Sequence, residues 1–338
     1  MGTSKSEIMK KKVLFYAFLF LTVFTSCKQN QNIEIGFLIH SSANARWQMD
    51  IKYLEERAKE LGATLIIKDA KGDENLQLKQ AVELLDMGVD VLIVVAANQN
   101  TAGGIVRAAH EKNVKVISYD RMIKNADLDY LISFEYEKIG EMMVDYVSDR
   151  VPKGNCVLLW GDANDANAVF IKNGQQRALK ENNQLKIVYQ TYIEDWNQET
   201  SKEVMNKVLD FSSEKIDAII SSNIPLGIGA YEALENHGYE PGKVIITGMD
   251  ATLDLIQSMH EGGITMSVIK PIKELAYGAI DLAVAAVKKD KIRFTTTVNN
   301  GRMNVPAKLF PPIVIDQSNY EKVLVQNGFF TENELRLK

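Results

Sequence analysis

The 338-residue sequence is poor in the features that announce many functions. Its two cysteines, Cys27 and Cys156, cannot set a disulfide framework. No run of Lys and Arg occurs outside the amino terminus, and a formal net charge of -5 argues against a nucleic-acid-binding surface. The four histidines, His40, His110, His237 and His260, are scattered without metal-ligand spacing. There is no Walker A loop, no Gly-x-Ser-x-Gly elbow and no His-Glu-x-x-His helix. Gly227-Ile228-Gly229 follows a strand pattern, but Glu232 stands where a dinucleotide fingerprint needs its third glycine. These absences argue against an enzyme and imply neither cofactor nor metal. No Gly/Ser- or Pro-rich spacer divides the chain either, so any domains are joined by a hinge rather than a flexible linker.

What is present begins with an address. Lys10, Lys11 and Lys12 precede an apolar run, Val13 to Phe24, too short to span a bilayer comfortably but suited to a secretory signal. Thr25-Ser26-Cys27 follows and resembles the bacterial lipobox, in which the cysteine is lipidated and becomes the first mature residue. Residues 1–27 are thus expected to be a lipoprotein signal peptide and 28–32 a short tether. The protein is then expected at the cell envelope, anchored to a membrane through Cys27.

Beyond the tether, 46% hydrophobic and 25% charged residues make an ordinary globular balance, and the length suits about two domains. Strand and helix patterns alternate: strands at 33–39, 64–68, 89–96, 115–119 and 129–134, with amphipathic helices between them. A second set has strands near 155–160, 186–192, 218–221 and 243–247, with helices starting near Glu135, Asn167, Gln198, Pro225 and Thr252. Such alternation implies right-handed crossovers and largely parallel sheets, hence two doubly wound α/β lobes. The strand 265–269 and helix 271–288 read as one more βα unit returning to the first lobe. The expected division is 33–133 plus 268–298 against 134–267 plus 299–338, with crossings near Ser133, Val268 and Val298.

In open α/β sheets, ligands bind beyond the carboxyl ends of the strands. There stand Arg46 and Trp47, Asp120 and Arg121, Asp165 with Asn167, Trp196, Asn223, Asp250 and Lys270. The mixture of cations, carboxylates, amides and two of the three tryptophans suits an uncharged polyol, whose hydroxyls donate and accept while its C–H faces want an aromatic plate. A phosphate site would want more cations and Gly-rich turns. Bland readings exist for several: Trp47 could be helix core, Asp250 and Asn223 could be helix caps, and Lys270 could be a surface residue at a helix start.

From about Ile33 to Leu335 the chain resembles the periplasmic sugar-binding proteins of bacterial ABC importers, in particular their D-xylose-binding branch. The stretches that carry this are Arg46-Trp47-Gln48, Gly88 to Leu92, Tyr119 to Ile123, Ile132-Ser133-Phe134, Ser222-Asn223, Lys270-Pro271-Ile272, and Asn299-Asn300-Gly301 with Val305-Pro306. The resemblance implies the type I periplasmic binding protein fold and a monosaccharide ligand, with D-xylose first. It also implies an ABC permease as membrane partner, and a monomer. It assigns the ten strand-end residues to the sugar site, the two tryptophans lying against the pyranose. The His40 to Ala45 loop, Ile224 and Trp160 depart from the family pattern. A sensor of another pentose or hexose, signalling to a membrane receptor, is the alternative.

Overall fold

In the computed structural model the described residues are 32–43, 45–294 and 296–336. The expected signal, Cys27 and all of the expected tether but Asn32 lie outside them. The first sheet takes strands β1 (Glu34–Ile39), β2 (Thr64–Asp69), β3 (Val91–Val94), β4 (Lys115–Tyr119), β5 (Tyr130–Phe134), β11 (Thr296–Asn299) and β12 (Asn304–Phe310). The second takes β6 (Gly154–Trp160), β7 (Leu185–Tyr192), β8 (Ala218–Ser221), β9 (Ile245–Met249), β10 (Met266–Ile269) and β13 (Ile313–Asp316). Their orders are β11-β12-β5-β4-β3-β1-β2 and β13-β10-β9-β8-β6-β7. Each sheet is parallel except for one antiparallel edge strand, β11 in the first and β13 in the second.

Helices cover both faces. α1 (Ala45–Glu60), α2 (Glu74–Met87), α3 (Gly103–Glu111), α4 (Tyr136–Arg150), α5 (Ala166–Glu181), α6 (Gln198–Phe211), α7 (Ile224–Asn236), α8 (Leu253–Glu261), α9 (Ile272–Lys288), α10 (Tyr320–Gln326) and α11 (Glu332–Arg336) follow in chain order. The pleat explains the layering, since successive side chains of a strand point to opposite faces. In β1, Ile35, Phe37 and Ile39 join a core with Leu54 of α1 and Ala276 of α9, whereas Leu38 joins one with Leu84 of α2 and Ile105 of α3. No described helix is long and apolar enough to cross a membrane.

The expected division of the chain needs two corrections. The strand before Lys270 does not return with its helix: β10 pairs with β9 and stays in the second sheet, while α9 packs on α1 in the first lobe, so the crossing follows Ile269. The last crossing comes after Phe310 rather than near Val298, because β11 and β12 form a hairpin whose second strand lies parallel to β5. The hairpin was hidden by its exposure: β11 is the sheet's edge and shows no buried residue. Sheets parallel at their centres put the carboxyl ends of both sets of strands toward one crevice.

Candidate functional site

The centre of the site is an aspartate made rigid by its backbone. Asp120, just past β4, has φ 62°, a left-handed conformation that short polar residues tolerate best after glycine. Its N–H donates to the Ile132 carbonyl at 2.8 Å, and its carbonyl accepts from the Ser133 hydroxyl at 2.7 Å. The carboxylate, 1% exposed, takes Arg46 Nη1 at 2.5 Å on one oxygen and the Tyr136 hydroxyl on the other. Burial alone would raise its pKa, but the charges of Arg46 and Lys270 and the Tyr136 hydroxyl hold it below the usual range.

Arg46 reaches from the first turn of α1. Its Nε lies 3.3 Å from Asp50, one turn on, and its guanidinium lies 4.2 Å over the Trp47 ring. Asp50 also accepts from the Tyr119 hydroxyl. Burial pushes the Asp50 pKa up to about 6, against the pull of Arg46. His40, at the end of β1, stands edge-on to Trp47 with ring centroids 4.9 Å apart. Burial, followed by the charge of Arg121, pushes its pKa down to about 3, so the imidazole is neutral at pH 7.

The second lobe repeats the device. Asp250, just past β9, has φ 90°; its N–H donates to the Val268 carbonyl at 3.0 Å and its carbonyl accepts from the Ser267 hydroxyl at 2.7 Å. Its carboxylate meets Lys270 Nζ at 2.7 Å. Lys270 is buried, and Nζ lies 5.5 Å from the centre of the Tyr136 ring, which ties this pair to the Asp120 cluster.

Arg46, Trp47, Asp120, Asp250 and Lys270 are thereby brought together. Arg121, Asp165 and Trp196 line a neighbouring cavity of about 570 Å³. Asp165 caps α5, accepting from Asn167 N–H at 2.8 Å, and burial raises its pKa although Arg121 pulls it down. Asn167 and Asp120 line a second cavity of about 610 Å³ that runs along the hinge past Tyr136. Close packing sets the angle: α4 and α5 touch backbone to backbone at Gly140 and Gly174, where neither has room for a Cβ. Trp196 lies in a 3-10 turn after β7 with φ 56°, following Asp195 at φ 53°. Its indole rests directly on Gly161, and a side chain there would collide with the ring.

Asn223 lines neither of these cavities. It caps α7, its Oδ1 accepting from Leu226 N–H at 2.9 Å. The capping alternative fails for Asp250, because Thr252 caps α8. Trp47 is 6% exposed and belongs to the core as well as to the cluster. Sequence reasoning missed Asp50, Tyr119, Tyr136 and His40. Only Asp50 carried a local signal, the four-residue spacing from Arg46 on one helix face.

Among the described residues no group of three or more His, Cys, Asp or Glu could hold a metal ion. The arrangement offers fixed acceptors, fixed cations and aromatic plates, which is chemistry for gripping hydroxyls.

Residues 35–291 match the family described as "Periplasmic binding protein domain". The chain belongs to this family. It is 34% identical over 318 residues to the D-xylose-binding periplasmic protein of Haemophilus influenzae, covering 93% of this chain and 96% of that one. It is 35% identical over 308 residues to the protein of the same name from Escherichia coli, covering 90% and 93%. Among solved structures, an ABC transporter solute binding protein from Clostridium phytofermentans with bound β-D-glucose aligns with a TM-score of 0.79 and 26% identity, over 89% of this chain and 99% of that one. The two-lobed fold is that of the type I periplasmic binding proteins, and the family is one of binding proteins rather than enzymes.

Proposed function

We propose that the protein captures a monosaccharide, D-xylose first, between its lobes and delivers it to an ABC importer. The observation that carries this reading is the balance of the strand-end cluster. Arg46, Arg121 and Lys270 are matched by Asp120, Asp165 and Asp250, with Asp50 a further carboxylate on Arg46, so the cleft carries no excess of positive charge and favours an uncharged ligand rich in hydroxyls over a phosphate or carboxylate. The two D-xylose-binding relatives, at 34% and 35% identity, support the choice of sugar. Closure would follow from the sugar's differential affinity for the closed form, and the permease would read that shape. The ten residues Arg46, Trp47, Asp120, Arg121, Asp165, Asn167, Trp196, Asn223, Asp250 and Lys270 are the proposed contacts, and the protein is proposed to act as a monomer.

The test is a thermal-shift panel of pentoses, hexoses and nucleosides. D-xylose at about 100 times its dissociation constant should add roughly 2.7 kcal/mol of stability. Stabilisation by nucleosides or hexoses alone would remove xylose from the reading. A sensing role is the second reading: the "Multiple sugar-binding periplasmic receptor ChvE" of Rhizobium radiobacter is 28% identical over 325 residues. Lipid anchoring through Cys27 completes the proposal. Cys27→Ser should release the protein from the membrane fraction or leave its signal uncleaved; unchanged fractionation with normal processing would refute the anchor.

A further inference from the structure

The first lobe reaches across the cleft with one side chain outside the strand-end inventory. Gln99 stands in the loop between β3 and α3, where its carbonyl accepts from Lys124 N–H at 2.8 Å and the Asn98 side chain accepts from Asn100 N–H at 3.0 Å. The loop is therefore held from within the first lobe. The Gln99 side chain points out of it into the second lobe. Its Nε2 donates to the Asn164 carbonyl, and its Oε1 accepts from Ala166 N–H at 3.3 Å. Those partners flank Asp165, which caps α5 and stands two residues before Asn167. Beside the bridge lies the cavity that Arg121, Asp165 and Trp196 share.

We infer that Gln99 is an interlobe latch, a positioning residue that fastens the closed form by gripping the backbone on either side of Asp165. The inference rests on the sugar-binding reading, in which Asp165 and Asn167 meet the ligand. Three features carry it. The amide uses both its donor and its acceptor on the opposite lobe, which a carboxylate or an alkyl chain cannot do. The partners are backbone groups, one of them an N–H in the first turn of α5 that has no acceptor within its helix. The bonds exist only while the lobes are together; on opening, all four groups return to water. A contact made in one state alone shifts the equilibrium toward that state, and apparent ligand affinity improves in proportion to the closed fraction.

The experiment compares the full chain with Gln99→Ala and Gln99→Glu, the second keeping the size but losing the donor to Asn164. X-ray scattering of the unliganded proteins and stopped-flow dissociation of D-xylose are the readouts. Both variants should have a larger radius of gyration without sugar than the parent protein. Both should release D-xylose about tenfold faster with association unchanged, and their apo melting temperatures should stay within a degree or so. Scattering profiles that match the parent protein would overturn the latch, whatever happens to dissociation. If the parent protein itself binds no sugar of the panel, the sugar reading fails on its own, and the unliganded scattering still decides for or against the latch.

Discussion

Two aspartates, one per lobe, are built into the backbone in the same way and differ in what surrounds their carboxylates. Asp120 and Asp250 both follow a central strand in a left-handed conformation, both donate to a carbonyl of the next strand, and both accept from a serine there. The Asp120 carboxylate is 1% exposed and already bound to Arg46 and Tyr136. The Asp250 carboxylate is 37% exposed, and its one ion pair among the described residues is with Lys270. The first lobe thus presents a finished surface, and the second an acceptor with spare lone pairs. On the proposed reading, the cleft would bind by one prearranged wall and one that completes its bonds on closing.

The comparison breaks or sharpens most at these two residues. Asp120→Ala takes the nearer of two carboxylates from the buried Arg46 guanidinium and the acceptor from the Tyr136 hydroxyl, and should cost the apo protein about 3 kcal/mol in denaturant unfolding. Asp250→Ala takes the 2.7 Å partner from buried Lys270 and should also cost apo stability, though less than Asp120→Ala because the Asp250 carboxylate is itself 37% exposed, while weakening sugar binding by about 1 to 3 kcal/mol. Equal apo costs would show that the two walls do not differ. The tryptophans give the next contrast. Trp47→Ala, within the core, should lose about 3 kcal/mol of apo stability together with binding. Trp196→Ala should lose about 2 kcal/mol of binding with little change in apo stability. If titration calorimetry finds Trp196→Ala binding like the parent protein, the second wall has been placed wrongly.

A further contrast lies in the pH dependence. The His40 pKa is depressed to about 3 in the folded state, so between pH 6.5 and 3 the unfolded chain takes a proton that the folded one refuses. Its contribution is complete above pH 6.5 and drains away as pH falls, at up to about 1.4 kcal/mol per pH unit. Asp50, raised to about 6, acts with the opposite sign between about pH 4 and 6, where the folded state binds the extra proton. His40→Gln should therefore flatten the acid limb of the apo stability curve between pH 6.5 and 4. A limb as steep as the parent protein's would mean that the ring is not held neutral.

The alternation of strands and helices was legible because parallel strands covered on both faces read as short apolar runs, as Val91 to Val94 do. The β11–β12 hairpin and β13 were not, since edge strands carry half-polar patterns. Assigning β10 to the wrong lobe followed from treating a strand and its next helix as one unit, where the chain changes lobes between them. At the site, residues at strand ends could be picked out from position alone. Tyr119, Tyr136 and His40 could not, because their roles depend on strands and helices far apart in sequence converging on Arg46 and Asp120. Asp165 and Asn223 show the limit of such reasoning: both cap helices, yet Asp165 also lines a cavity of the cleft and Asn223 lines neither cavity.

The late return of the chain to its first sheet has a consequence for the order of assembly. β5 has no partner on one side until β12 arrives at residues 304–310, and α9, which covers one face of the same sheet, is not complete before residue 288. A nascent chain emerging amino end first therefore cannot finish its leading lobe until it is almost fully made. Pairings so distant in sequence form slowly, since the loop between them must close before the contacts repay it. The same topology that ties the lobes together thus leaves the first sheet open at one side until residue 310 has been made.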